Sequence, residues 1–257
     1  MKIYIITDLE GPALINRFDQ TRDVTPEEKK RSMALLTGEV NACVDGILDA
    51  EPGAEIIVWD GHGSGGIDEL RFHPRAKLIA RGPIRPPYFL DASFDALFFV
   101  GQHARAGSGG VLCHTYSSRT IEYFKINGRE MGEFGCRALM AGTMGVPAAL
   151  VTGDDRAVQE ARELVPAIVG VAVKQALGVE LALHLSHAEA CARIRAGAAE
   201  ACRKIEHIPP FFFPGPYEQE IRVYKGVNLD GYLRRGFDPV DERTVRKKSD
   251  SILDLHV

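Results

Sequence analysis

The chain opens with Met1-Lys2-Ile3-Tyr4-Ile5-Ile6-Thr7-Asp8-Leu9-Glu10-Gly11, an apolar run that ends in two carboxylates and a glycine. Ile3 to Ile6 is β-branched and aromatic without polar alternation, the pattern of a strand buried on both faces of a parallel sheet. Working outward, Thr25-Pro26-Glu27-Glu28 supplies a helix cap, a first-turn proline and a capping-box acid. Met33, Leu36, Val40, Val44 and Leu48 then recur at three- and four-residue spacing, which predicts a helix to about residue 49. The buried-strand pattern returns at Glu55 to Trp59, Ala96 to Val100, Val146 to Val151 and Val169 to Val173. Helices are expected over 132–144, from Asp154-Asp155 through Leu164, and over 188–205. Thr120 to Ile126 meets Asn127-Gly128, a strong hairpin signal. Strands alternating with helices predict an α/β fold, a mostly parallel sheet with helices on both faces. Pro209 to Pro216 (PPFFFPGP) reads as a boundary between a unit of residues 1–208 and a smaller C-terminal region, 209–257. In that region Glu220 to Tyr224 resembles one more strand.

Composition narrows the function. Of 257 residues 45% are hydrophobic, enough for a large core, and the net charge of -4 offers no basic field for nucleic acid. Cys43, Cys113, Cys136, Cys191 and Cys202 are odd in number and form no CxxC pair, which points to a reducing, cytoplasmic setting. No run approaches the ~20 apolar residues of a membrane span, and the N-terminal segment turns acidic before a signal peptide can develop. No nucleic-acid or membrane partner is expected.

The chemistry gathers where predicted strands end. Asp8 and Glu10 follow the first strand, His62 follows the second, and His103 follows Ala96 to Val100. Ligands of open α/β sheets bind beyond the carboxyl ends of the strands, where residues distant in sequence converge. Imidazole with carboxylate suits zinc and its transition-metal neighbours. Singly, each Asp is as well read as a turn cap and each His as a loop residue; jointly they make a metal site a sharper reading. Asp60, two residues before His62, either orients that imidazole from behind or caps the turn through Gly61. Asp154 and Asp155 suit a helix cap better than a metal. Arg105 and Lys174 are candidates for a substrate carboxylate and equally ordinary surface residues.

Asp8-Leu9-Glu10-Gly11, Asp60-Gly61-His62, Gly101-Gln102-His103-Ala104-Arg105-Ala106, Cys113-His114 and Gly132-Glu133 together resemble the zinc D-aminopeptidases associated with bacterial dipeptide transport. The likeness continues through Gly153 to Ala157 and Val171 to Gln175, and so covers roughly residues 1–175. It departs at Ile6, where the family has serine, and at Ala176-Leu177-Gly178. The resemblance implies two zinc ions per subunit, held by Asp8, Glu10, His62, His103 and Glu133, with Asp8 bridging. It implies a catalytic role for His114, a short peptide substrate with an N-terminal D-amino acid, and a homo-oligomeric ring enclosing a chamber. A zinc pair about 3.5–4 Å apart generates a nucleophile at neutral pH and stabilises a tetrahedral oxyanion. Two-metal sites serve phosphoesters as well, so a phosphoesterase or another metal-dependent amidohydrolase is the alternative, and an inactive metal-bound scaffold a third. A Cys113–His114 dyad is the weaker mechanism, because neighbours on an extended loop point apart. The residues that bind substrate are not legible.

Overall fold

The computed structural model describes residues 1–22, 25–80 and 84–255. The first half alternates as expected: β1 (Lys2–Thr7), α1 (Pro26–Ala50), β2 (Glu55–Asp60), β3 (Lys77–Ile79) and β4 (Ala96–Gln102). A long loop leads to the hairpin β5 (Ile121–Ile126) and β6 (Arg129–Glu130). Then come α2 (Glu133–Gly142), β7 (Ala148–Asp154), α3 (Asp155–Leu164), β8 (Val169–Gly178), β9 (Leu181–His184) and α4 (His187–Lys204). The remainder holds β10 (Tyr217–Val223), α5 (Asp230–Leu233), β11 (Asp238–Asp241) and β12 (Thr244–Ser249). Among the described residues, no helix is long and apolar enough to cross a membrane.

Sheet A has the order β3-β2-β1-β4-β7-β8-β9, parallel throughout except for the final β8–β9 pair. Helices cover both faces. Val169 and Val171 lie against Gly197 of α4, while Gly170 between them faces Val158 of α3, and alternate residues of a strand point to opposite faces. α1 packs beside α4 so closely that a methyl on Gly46 would strike the Arg195 carbonyl. Asp154 caps α3 by accepting the Ala157 amide at 2.7 Å, the role its sequence position suggests.

The chain runs from β1 outward through β2 to β3, then returns to the far side of β1 as β4. That reversal is the topological switch point, where the carboxyl ends of β1 and β4 part and a crevice opens. Two glycines bring these ends together. A side chain on Gly101, at φ +79°, would sit 2.2 Å from the Asp8 carbonyl, and one on Gly11 would meet the Gly101 backbone. The Gly11 amide donates to the Gly101 carbonyl at 2.7 Å and the Asp8 amide to that of Val100 at 3.0 Å.

Sheet B is antiparallel, with the order β11-β12-β10-β5-β6. It spans the expected division at residue 208. β10, from beyond the proline-rich segment, pairs through Gln219 to Val223 with β5, so β10, β11 and β12 complete a sheet begun at Ile121. The structural reason is that β5 with its two-residue partner β6 could not bury a face alone.

Candidate metal centre

Each expected ligand stands just beyond a buried strand or at a helix start. Asp8 and Glu10 leave β1, His62 leaves β2 and His103 leaves β4, while Glu133 opens α2. Six side chains form one array: His62 Nε2 is 3.3 Å from Glu10 Oε1, and His103 Nε2 is 3.2 Å from Asp8 Oδ2 and 3.3 Å from Glu133 Oε1. His114 completes it, its ring stacked on His103 with centroids 3.9 Å apart and its Nε2 3.9 Å from Glu133 Oε1. Ligand atoms of Asp8, Glu10 and His103 lie within 4.8 Å of one another, as do those of His103, His114 and Glu133. The array lines one cavity of about 370 Å³.

Backbone contacts orient the imidazoles. His103 Nδ1 donates to the Ala104 carbonyl at 2.9 Å and His114 Nδ1 to that of Leu112 at 2.8 Å. A carbonyl can only accept, so in its neutral form each ring presents an Nε2 lone pair to the cavity. Leu112 at φ +52° and Tyr116 at φ +59° flank His114 in left-handed conformations that bulky residues rarely adopt. Such backbone is held where the surroundings over-determine it, and here it turns the loop so that His114 covers His103.

Electrostatics separates the carboxyls. Burial, then the neighbouring Glu10, pushes the Asp8 carboxyl up to about 7. Burial also opposes ionisation of Glu10, but the His62 imidazole overrides it and holds Glu10 well below the usual range. Glu133 is likewise brought down to about 2 against burial by His103, His114 and the Tyr116 amide, which donates to it at 2.8 Å. His103 is raised well above its ordinary value by the two acids, and His114 is lowered by burial and by His103.

These residues fit a cation. Glu10 Oε2 and His103 Nε2 are buried without a hydrogen-bond partner, a costly arrangement unless a ligand satisfies them. Carboxylates and imidazole Nε2 atoms are donors that suit one or two divalent ions, and a bound ion would replace the proton that Asp8 and Glu133 otherwise hold on His103.

The fold also revises two expectations. Asp60 does not stand behind His62; its carboxylate accepts the Gly66 amide at 2.9 and 3.1 Å, while His62 Nδ1 faces Ser64 Oγ at 3.1 Å. It shapes the 61–66 loop that carries His62, a role closer to the turn-cap alternative. Lys174 is not at the surface: buried, it donates to the carbonyls of Glu10 at 2.6 Å, Pro12 at 3.1 Å and Ile15 at 2.5 Å, pinning the segment that carries Glu10. Arg105 is engaged with Glu130 at 2.5 Å. Sequence reading missed Arg137, which lines the cavity; its spacing four residues after Glu133 on a helix was the available signal.

The D-aminopeptidase family profile spans residues 1–257. The chain belongs to the D-aminopeptidase family. It is 33% identical over 218 residues to a D-aminopeptidase of Bacillus subtilis (strain 168), covering 83% of this chain and 78% of that protein. Its fold matches that of the zinc-dependent D-aminopeptidase DppA from Bacillus subtilis, a self-compartmentalizing protease. The TM-score is 0.89 at 29% identity, over 99% of this chain and 93% of the other. Family membership favours amide over phosphoester chemistry.

Proposed function

We propose that this protein is a binuclear zinc aminopeptidase that removes an N-terminal D-amino acid from short peptides. The observation that carries the reading is the six-residue array with two orphaned buried atoms at the switch point of sheet A. Asp8, Glu10, His62, His103 and Glu133 would hold two zinc ions. Zinc bound there would supply Lewis acidity toward the scissile carbonyl and a nucleophile at neutral pH.

The remaining work falls to the chain. Leu112 and Ala104 lock the tautomers of His114 and His103, so His114 Nε2 is the atom that accepts a proton from the attacking water and returns it to the leaving amine. The stacked His103 and the left-handed turns at Leu112 and Tyr116 keep that imidazole over the cavity rather than in solvent. Cys113, adjacent in sequence, has no place in this proton path.

The same reading includes assembly into a ring. Leu177, Val179, Leu181 and Leu183 on the β8–β9 hairpin are all exposed, at 58, 46, 58 and 63%, an apolar edge suited to a second copy of the chain. The five cysteines are free, as a cytoplasmic setting would keep them. Light scattering at micromolar concentration tests the ring, and a mass near 28.2 kDa would refute it.

His114→Ala tests the chemistry. With both zinc ions retained, the rate on a D-alanyl peptide is expected to fall about 10²–10⁴-fold, the scale of a lost acid–base group. Loss of zinc in step with activity would make His114 a ligand instead, which its place in the His103–Glu133 group also permits.

A further inference from the structure

Arg137 is a cation on the cavity that the proposed zinc chemistry does not use. It lies one turn along α2 from Glu133 and lines the same cavity as the six-residue array. Three aromatic rings surround its guanidinium: Tyr88 at 4.1 Å from Cζ, Trp59 at 5.3 Å and Tyr116 at 5.6 Å. Trp59 and Tyr88 are themselves stacked at 4.3 Å, so the cage is rigid. Stacking fixes the plane of a guanidinium while leaving its edge donors free.

Those donors are not all used. Nη1 is buried and has no hydrogen-bond partner. Glu133, the carboxylate one turn away, is engaged with His103 and the Tyr116 amide. Arg22, a second arginine on the cavity, differs: it donates to Ser118 and packs on Phe18 at 4.2 Å. The half-buried guanidinium is also hydrogen-bonded to the Tyr88 side chain, but a buried donor left over is unfavourable unless a ligand completes it, and the match for a guanidinium fork is a carboxylate.

We infer that Arg137 is a specificity-determining residue that binds a carboxylate of the substrate, most directly the C-terminal carboxylate of a dipeptide. The inference rests on the aminopeptidase reading for the word substrate, while the carboxylate subsite itself rests on Arg137 and its cage. The spacing supports the dipeptide. Residues four apart on a helix are about 6 Å apart, and the carboxylate of a dipeptide lies roughly one Cα step, ~3.8 Å, past the scissile carbonyl. Arg137 and Glu133 line one cavity, so a dipeptide whose scissile carbonyl is held at the Glu133 end has its carboxylate within the reach of that cavity. An acidic side chain offers the same chemistry from another part of the substrate.

The test measures binding as well as turnover. Calorimetry on the zinc-loaded protein would use a reduced-bond analogue of D-alanyl-glycine, with a methylene in place of the scissile carbonyl, and its C-terminal amide. Wild type is expected to bind the acid about 10- to 100-fold more tightly than the amide, the scale of a charge-assisted hydrogen bond. Arg137→Met should equalise the two while zinc content and affinity for the amide stay unchanged; Arg137→Lys should restore part of the preference. A D-aspartyl-glycinamide analogue separates the sources: Arg137-dependent preference for it over its asparagine counterpart assigns the subsite to a side chain. Equal affinities throughout in wild type, or a parallel loss for acid and amide in folded Arg137→Met, would overturn the inference. Should the acid preference hold while no peptide is cleaved, the subsite stands and the peptidase reading fails.

Discussion

Across the β10–β12 ladder of sheet B, Arg246 lies 2.7 Å from Glu220 and 3.3 Å from Glu218, and Lys248 lies 3.0 Å from Glu218. At the carboxyl edge of sheet A, Asp8, Glu10 and Glu133 converge instead on one another and on imidazoles. The first arrangement pairs opposite charges at the surface, where water already solvates both partners and each pair adds little. The second concentrates like charges in a buried crevice, which no requirement of stability explains. Charge placed against the interest of folding marks the part of the molecule selected for chemistry.

The largest test of that contrast is His103→Ala. His103 belongs to both ligand groups, so its loss is expected to empty the centre and lower peptidase activity by at least about 10³-fold, the effect of losing several kcal/mol of transition-state stabilisation. Elemental analysis alongside kinetics checks it; a variant that keeps two zinc ions and full rate would break the contrast at its source.

Lys174→Met acts one step away. Removing the ammonium leaves the carbonyls of Glu10, Pro12 and Ile15 without their donor, and zinc affinity should weaken about 10- to 100-fold, as for other groups that orient ligands. A chelator competition assay measures this, and unaltered affinity would mean that the 10–15 segment holds its shape alone.

A third test uses pH. Glu39 and Glu160 are buried carboxyls that burial pushes up to about 7, although neither is in the ligand array. In the unfolded chain such groups titrate near ~4.3, so the fold favours their protonated form. The stability they contribute is complete below that pH and is lost as pH rises through about 7. With the metal centre saturated, Glu160→Gln should therefore flatten the fall in melting temperature between pH 5 and 8, removing up to about 3 kcal/mol of pH dependence. An unchanged slope would count against the buried assignment.

The smallest effect is expected on sheet B. Arg246→Ala should cost less than about 1 kcal/mol in urea unfolding and leave activity alone. A larger loss would show that the ladder, and not the cluster, is where this molecule places its critical charges.

Much of this architecture was legible in the residues. β1, β2, β4 and β7 carry apolar runs because both of their faces are largely buried, β8 does so only over Val169 to Val173, and α1 and α4 carry the apolar spacing of helices that pack against each other. β3 went unread because three residues make no period, and β11 because its four residues are all exposed. β12 was masked by the basic run Arg243 to Lys248, whose charges are met by acids on β10 and β5, which sequence order does not reveal. The proline-rich segment looked like a domain end for the same reason: a break in local pattern says nothing about which strand lies alongside.

By itself, the sequence determined that β1, β2, β4 and β7 are buried strands and that Asp8, Glu10, His62 and His103 follow three of them, although β4, β7 and β8 run on to Gln102, Asp154 and Gly178, past the expected Val100, Val151 and Val173. These are local properties, set by side-chain polarity and backbone preference within a few residues. Tertiary structure alone decided that Lys174 reaches back to the carbonyl of Glu10, that Asp60 serves the Gly66 turn, that His114 lies on His103, and that Arg137 is caged beside them. Each of these depends on the position of strand ends brought together by the reversal at β1 and β4. Contacts between residues so far apart in the chain have no local signature, because the free energy that forms them comes from closing the whole sheet.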